Sequence, residues 1–152
     1  MKFILTHEVG RLAKWLRILG FDSVYQKRDD KRELVLRSLR EDRIVVSRNA
    51  SLARYTGIRF IHIKSDLLEE QLKQMRDELG LNINEEYMFT RCVICNEPLA
   101  GIDKEKVKDK VPEFVYSANE NFVVCPNCKK IYWQGTHWGN VKEIIYKLKI
   151  KG

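Results

Sequence analysis

Arg43-Ile44-Val45-Val46-Ser47-Arg48-Asn49 is the stretch that decides the architecture of the first half of the chain. Ile44, Val45 and Val46 are β-branched and apolar in succession. A half-exposed strand alternates apolar and polar residues. A run that is apolar at every position suits a strand covered on both faces, as in a parallel sheet. Upstream, residues 30–40 read as a helix with Leu34, Val35 and Leu39 inward, and residues 23–25 as a short strand. Val9, Leu12, Ala13, Leu16 and Leu19 recur at helical spacing, Gly20 supplies a stop, and residues 2–5 open the chain as a strand. Downstream, residues 50–55 read as a short helix and 60–63 as a strand. Ser65 and Asp66 can cap a longer helix with Leu68, Leu72, Met75 and Leu79 on one face and Gly80 at its end. Strands alternating with helices predict an α/β fold: a parallel sheet with flanking helices.

The character changes after residue 80. Residues 82–86 form a polar linker, and short aromatic segments at 114–116, 122–124 and 131–133 read as strands. A last helix over 139–149 is expected to bury Val141, Ile144, Ile145 and Leu148. The boundary falls near residue 88, with an α/β domain over 1–88 and a small β-rich unit with a terminal helix over 89–152.

The second unit carries Cys92-Val93-Ile94-Cys95 and Cys125-Pro126-Asn127-Cys128, two C-x-x-C pairs with 29 residues between them. Two intervening residues let both sulfurs of one turn reach the same ion. Tetrahedral Zn²⁺ takes one such turn from each of two hairpins. Asn96, Pro126, Asn127, Lys129 and Lys130 supply turn chemistry, and no cysteine is left over. A thioredoxin-like redox pair would be single and would open a helix, which this pattern does not do. Four sulfurs close the site, so zinc at Cys92, Cys95, Cys125 and Cys128 is expected to be structural. A segment this thin in apolar residues needs such a staple. A lobe between the knuckles, about 101–120, has to be accommodated.

No apolar run approaches the roughly 20 residues needed to span a bilayer. The opening Met-Lys-Phe-Ile-Leu turns polar at Thr6-His7-Glu8, too soon for a signal peptide. The expected location is the cytoplasm, where cysteines serve as metal ligands more readily than as disulfides. Net charge is +7, but residues 1–64 carry 15 basic and 7 acidic groups, 65–88 carry 2 and 7, and 89–152 carry 11 and 7. Four thiolates around one dication bring the whole to about +5. A basic surface suits a phosphate backbone, and equally suits solubility or ion-pair networks.

Arg11, Lys14 and Arg17 lie three apart on the first helix as a cationic ridge, with Arg43 and Arg48 flanking the third strand. The ridge reads either as a phosphate track or as a solvated face. Trp15 beside it reads as core, or as a stacking surface. In an open parallel sheet, ligands collect at the carboxyl ends of the strands. Those ends read Thr6-His7-Glu8, Ser47-Arg48-Asn49 and Lys64-Ser65-Asp66, with Asp29, Asp30 and Glu33 nearby at the start of the second helix. Metal-dependent hydrolysis would gather carboxylates there around Mg²⁺ or Mn²⁺. His62 reads as a packing or solvent-facing residue, and His137 as a support behind the cysteines or an RNA contact.

Three runs together resemble the Mut-seven C-terminal RNase family. Residues 9–22 (VGRLAKWLRILGFD) are similar to its opening helix, and 43–49 (RIVVSRN) to its third strand. The run from Arg91-Cys92 through Val111-Pro112 and Tyr132-Trp133 to His137-Trp138 is similar to its ribbon. The resemblance implies a PIN-like nuclease domain followed by a zinc ribbon, acting on RNA. It also implies Asp at two positions where this chain has Thr6 and Asn49. Asp30, Glu33, Asp66 and Glu8 would then hold the catalytic ion, with Asn49 as a neutral ligand, while Arg11, Lys14, Arg17 and Arg48 hold phosphates. Hard cations want anionic oxygen, so the two departures raise a rival: a non-catalytic RNA-binding or ribosome-associated module. A third reading is a protein adaptor using the acidic helix over 66–78.

Overall fold

The computed structural model describes residues 1–133 and the backbone of 137–150, with the side chains of 141–147 in the last helix. Strand β1 (Lys2–Leu5) leads through a short 3₁₀ turn (His7–Val9) into helix α1 (Gly10–Ile18). Strand β2 (Asp22–Tyr25), helix α2 (Lys31–Arg40), strand β3 (Ile44–Ser47), a 3₁₀ segment (Ala50–Arg54), strand β4 (Phe60–His62) and helix α3 (Leu68–Leu79) follow. These four strands pair in parallel in the order β2-β1-β3-β4. The central run Ile44–Ser47 is buried at every position, as its composition requires.

Alternate residues of β1 and β3 feed two apolar layers. Phe3, Leu5, Ile44 and Val46 pack with Leu12, Leu16, Leu72 and Met75 of α1 and α3. Ile4 and Val45 pack on the other face with Leu34 of α2 and Leu52. Gly80 ends α3 in the left-handed conformation, φ 64°, where a side chain would be strained. Two details of the helices differ from expectation. Leu39 is 51% exposed, and Ser38 takes the inner position one turn beyond Leu34. Leu67 is the N-cap residue of α3, so Asp66 does not cap it; the Ser65 hydroxyl oxygen accepts from the Leu67 N–H at 3.0 Å.

The second sheet is antiparallel, ordered β5 (Ala100–Ile102), β6 (Phe122–Val124), β7 (Ile131–Tyr132). Residues 114–116, expected as strand, lie instead in helix α4 (Glu113–Ala118). Pro112 sets the extended entry, with φ −56° and ψ 146°, and accepts from the Val115 and Tyr116 N–H groups. The turn buries Val115 while Phe114 stays 75% exposed, a one-sided pattern that three residues cannot distinguish from a strand. The lobe between the knuckles has its own small core of Val107, Val115 and Phe122.

Helix α5 (His137–Ile150) returns to the first sheet. Val141 and Ile145 are buried in the same apolar layer as Leu72 and Met75, with Ile144 against it, and Lys147 reaches Glu69 of α3 at 3.4 Å. The side chains of His137, Trp138 and Leu148 lie outside the described residues.

Candidate functional site

The two cysteine knuckles are built alike. Asn96 N–H donates to the Cys92 carbonyl at 2.9 Å, and Lys129 N–H to the Cys125 carbonyl at 2.9 Å. Asn96 and Lys129 each take a positive φ, 66° and 67°, to close the turn. Cys92 N–H donates to the Glu97 carbonyl at 2.8 Å and Cys125 N–H to the Lys130 carbonyl at 2.9 Å, so each knuckle is tied at its base. The four sulfurs lie within 4.8 Å of one another, and Cys92 and Cys128 are 3.7 Å apart. Tetrahedral zinc with Zn–S bonds of 2.3 Å needs sulfurs about 3.8 Å apart, so the donor set and its spacing fit Zn²⁺. Burial would raise the Cys92 thiol, but hydrogen bonds from the Tyr132 hydroxyl and the knuckle N–H groups lower it to about 7. Tyr132 lies 3.1 Å from that sulfur and also receives the Val93 N–H at 3.1 Å.

The first knuckle is docked on the edge of the parallel sheet. Asn96 Oδ1 accepts from the Ser23 N–H at 2.9 Å, and Asn96 Nδ2 donates to Asp22 at 2.7 Å. Arg17 Nε donates to the Ser23 carbonyl at 2.8 Å, and its Nη1 to the carbonyls of Val93 and Ile94 at 2.9 and 3.1 Å. Arg43, only 9% exposed, pairs with Asp22 at 2.8 Å and Glu41 at 2.7 Å. Edge strand β2 thus has donors and acceptors met by a side-chain amide and a guanidinium, which blocks pairing with another strand.

At the opposite side of the sheet's centre, the carboxyl ends of β1 and β3 meet at Glu8. Its Oε1 lies 2.5 Å from the Thr6 hydroxyl, 2.6 Å from the Ser47 hydroxyl and 2.9 Å from the Arg48 N–H. Burial would raise this carboxyl. The Ser47 and Thr6 hydroxyls, then the backbone N–H groups, outweigh that and bring it down to about 2, so Glu8 is ionised at neutral pH. His7 Nδ1 approaches the other oxygen at 3.4 Å. Thr6 makes no side-chain capping bond; its hydroxyl belongs to this cluster. This is the place where the strand order reverses between β1 and β3.

The other acids stand apart. Asp30 caps α2, accepting from the Glu33 N–H at 3.1 Å, and Glu33 lies on the exposed face toward Arg40 at 3.9 Å. Asn49 caps the following 3₁₀ segment, accepting from the Ser51 N–H at 3.0 Å and the Ser51 hydroxyl at 2.7 Å. Asp66 is exposed at the turn before α3. Among the described residues, the cysteines form the one group of three or more His, Cys, Asp or Glu side chains close enough to share an ion. These acids, as placed, do not fit a shared Mg²⁺ or Mn²⁺. Of the cationic ridge, Arg11 and Lys14 are exposed, while Arg17 spends its donors on β2 and the knuckle. Arg48 is exposed, and its carbonyl lies 3.1 Å from His62 Nε2. Trp15 is partly buried against the core.

Glu8 drew little weight from sequence because it lies three residues beyond the strand end; only the 3₁₀ turn folds it back. The tie from the first knuckle to Arg17 and to β2 carries no sequence signal at all, since its partners are more than seventy residues apart.

An open parallel sheet with flanking helices, joined to a small antiparallel sheet and a cysteine cluster like that of a zinc ribbon, defines the class: an α/β protein with four cysteines placed to hold a metal. No curated protein and no solved structure matches the chain. The family model for the Mut7-C RNAse domain matches residues 1–145, and the chain belongs to that family.

Proposed function

We propose that this chain acts on RNA along the carboxyl rim of its parallel sheet, as a PIN-like ribonuclease-family domain over 1–88 with a zinc ribbon over 89–152. The observation that supports it most is Glu8, held ionised between the ends of β1 and β3 with exposed Arg48 beside it, in a chain of an RNAse family. Helix α1 starts at this rim, so Arg11 lies in its first turn and Lys14 one turn beyond. These cations hold phosphates, and Arg17 positions the ribbon. The boundary near residue 88 divides chemistry more than packing, because Val141 and Ile145 return to the first core. Bound zinc supplies a fixed crosslink between the knuckles, and a reducing cytoplasm keeps its ligands as thiolates.

A second reading is favoured by a specific observation. Asn49 uses its carbonyl oxygen as a cap, and Asp30, Glu33 and Asp66 do not converge on a common ion. On that reading the chain retains RNA, ribosomal RNA included, without cutting it.

One experiment decides between them. Labelled RNA is incubated with Mn²⁺ and the zinc-loaded protein, alongside a Glu8→Gln variant. Cleavage lost in the variant makes the chain a metal-dependent ribonuclease; salt-sensitive retention without cleavage makes it a binding module. Absence of both rejects RNA as the ligand. No described helix is long and apolar enough to cross a membrane.

A further inference from the structure

We infer that the seam between β2 and the first cysteine knuckle is a second nucleic-acid contact, a groove that holds single-stranded RNA with Tyr87 as its stacking platform. The inference rests on RNA being the ligand and adds where the strand runs.

A cleft of about 400 Å³ lies at this seam, and a second of about 580 Å³, lined by Lys2, Phe21, Leu81 and Tyr87, adjoins it through the shared walls Asp22 and Arg91. Together they form one extended trough, not an enclosed pocket. Lys2, Arg17, Arg37, Arg43 and Arg91 line it, against Asp22 and Glu97. The cations divide by what they already hold. Arg43 is committed to Asp22 and Glu41, and Arg17 to backbone carbonyls close to the thiolates of the first knuckle. Those two answer the negative charge built into the wall. Arg37 engages Glu41 through its Nε, Arg91 engages the Asn96 carbonyl through its Nη1, and Lys2 makes no ion pair among the described residues. Each of the three keeps nitrogen donors for an incoming anion.

Tyr87 adds the element that a merely charged seam lacks. Tyr87 is 57% exposed, and its backbone is held by hydrogen bonds. Its carbonyl accepts from the Thr90 hydroxyl at 2.6 Å, and its N–H donates to the Asn84 carbonyl at 3.1 Å. Gly20, at φ +95°, lies so close beneath that a Cβ there would come within 2.2 Å of the Tyr87 carbonyl oxygen. An exposed aromatic ring on a rigid backbone, at the edge of a cationic trough, is the arrangement that binds single strands: the trough follows phosphates and the ring takes a base.

The test is fluorescence anisotropy of a labelled uridine oligonucleotide with the full zinc-loaded chain. Tyr87→Ala is expected to weaken binding about tenfold, while Tyr87→Trp, which keeps a stacking surface, binds like wild type. Arg37→Ala is expected to reduce the slope of log affinity against log salt by about 0.7. An Arg11→Ala, Lys14→Ala variant reports on the rim separately. Should the rim variant weaken binding while Tyr87→Ala and Arg37→Ala match wild type, the groove is rejected and the rim reading stands. If wild type does not bind the oligonucleotide, both are rejected.

Discussion

The parallel sheet buries Phe3, Ile4, Leu5, Leu12 and Leu16 completely between helices on both faces, whereas the ribbon's own apolar cluster is Val107, Val115 and Phe122. The first region is ordered by packing; the second has little apolar surface for that, and its four sulfurs are gathered where a metal ion would staple it. Between them lies a third kind of bonding, polar and directional, in which Arg17, Asn96, Asp22 and Arg43 seal the sheet's edge with the knuckle. The comparison teaches that metal binding and the sheet are mechanically joined, although their stabilising forces are separate.

The sharpest way to break the comparison is to remove the metal. Binding free energy at a structural zinc site is about 10–16 kcal/mol in apparent terms and is folding free energy for the part it staples. Cys92→Ser or strong chelation should therefore unfold the ribbon first. Hydrogen exchange should show β5, β6 and β7 losing protection while β1 and β3 keep theirs. Equal loss in both sheets would make them one cooperative unit. Native mass spectrometry of the wild type should find one zinc per chain.

Within the sheet the complementary test is Leu16→Ala. This side chain is fully buried, and its truncation should cost about 2–5 kcal/mol in urea denaturation without loss of zinc. Zinc loss on that substitution would contradict the separation of forces.

Arg17→Ala addresses the seam. It removes charge-assisted bonds to three carbonyls and is expected to cost about 2 kcal/mol, again with zinc retained. Its distinguishing readout is faster exchange at the Ser23 amide, since Asn96 would no longer be held against it.

The pH-dependent test concerns Glu8. Its folded value, about 2, lies below its unfolded one near 4.5. Its contribution is therefore complete above the unfolded value and is lost as pH falls through about 2. The stability gap between wild type and Glu8→Gln should be present at neutral pH, shrink below pH 4.5 and close near 2, measured by urea denaturation across that range. A gap independent of pH would mean that geometry alone, not charge, holds the cluster.

Much of this was legible in the residues. The unbroken apolar run Ile44-Val45-Val46 specified a strand covered on two faces, because no alternating polar residue was left to meet water. The helical spacing of Leu12, Leu16, Leu72 and Met75 placed α1 and α3. Asp30 was legible as the start of α2, but not as a side chain spent on capping it. Phe114, Val115 and Tyr116 misled because three aromatic and β-branched residues have the composition of a strand; Pro112 and the needs of the small lobe made them a helical turn.

By itself the sequence determined which segments are strands and helices in the first sheet, and that four cysteines come together at spacing suited to one ion. Periodicity and two-residue cysteine spacing are local, and local geometry is enough to read them. Only the tertiary structure decided that Glu8 folds back to the junction of β1 and β3, that Arg17 leaves the cationic ridge for the knuckle, and that α5 returns to the first core. Each of these joins groups whose positions are set by chain crossings, and spacing along the chain does not encode a meeting of that kind.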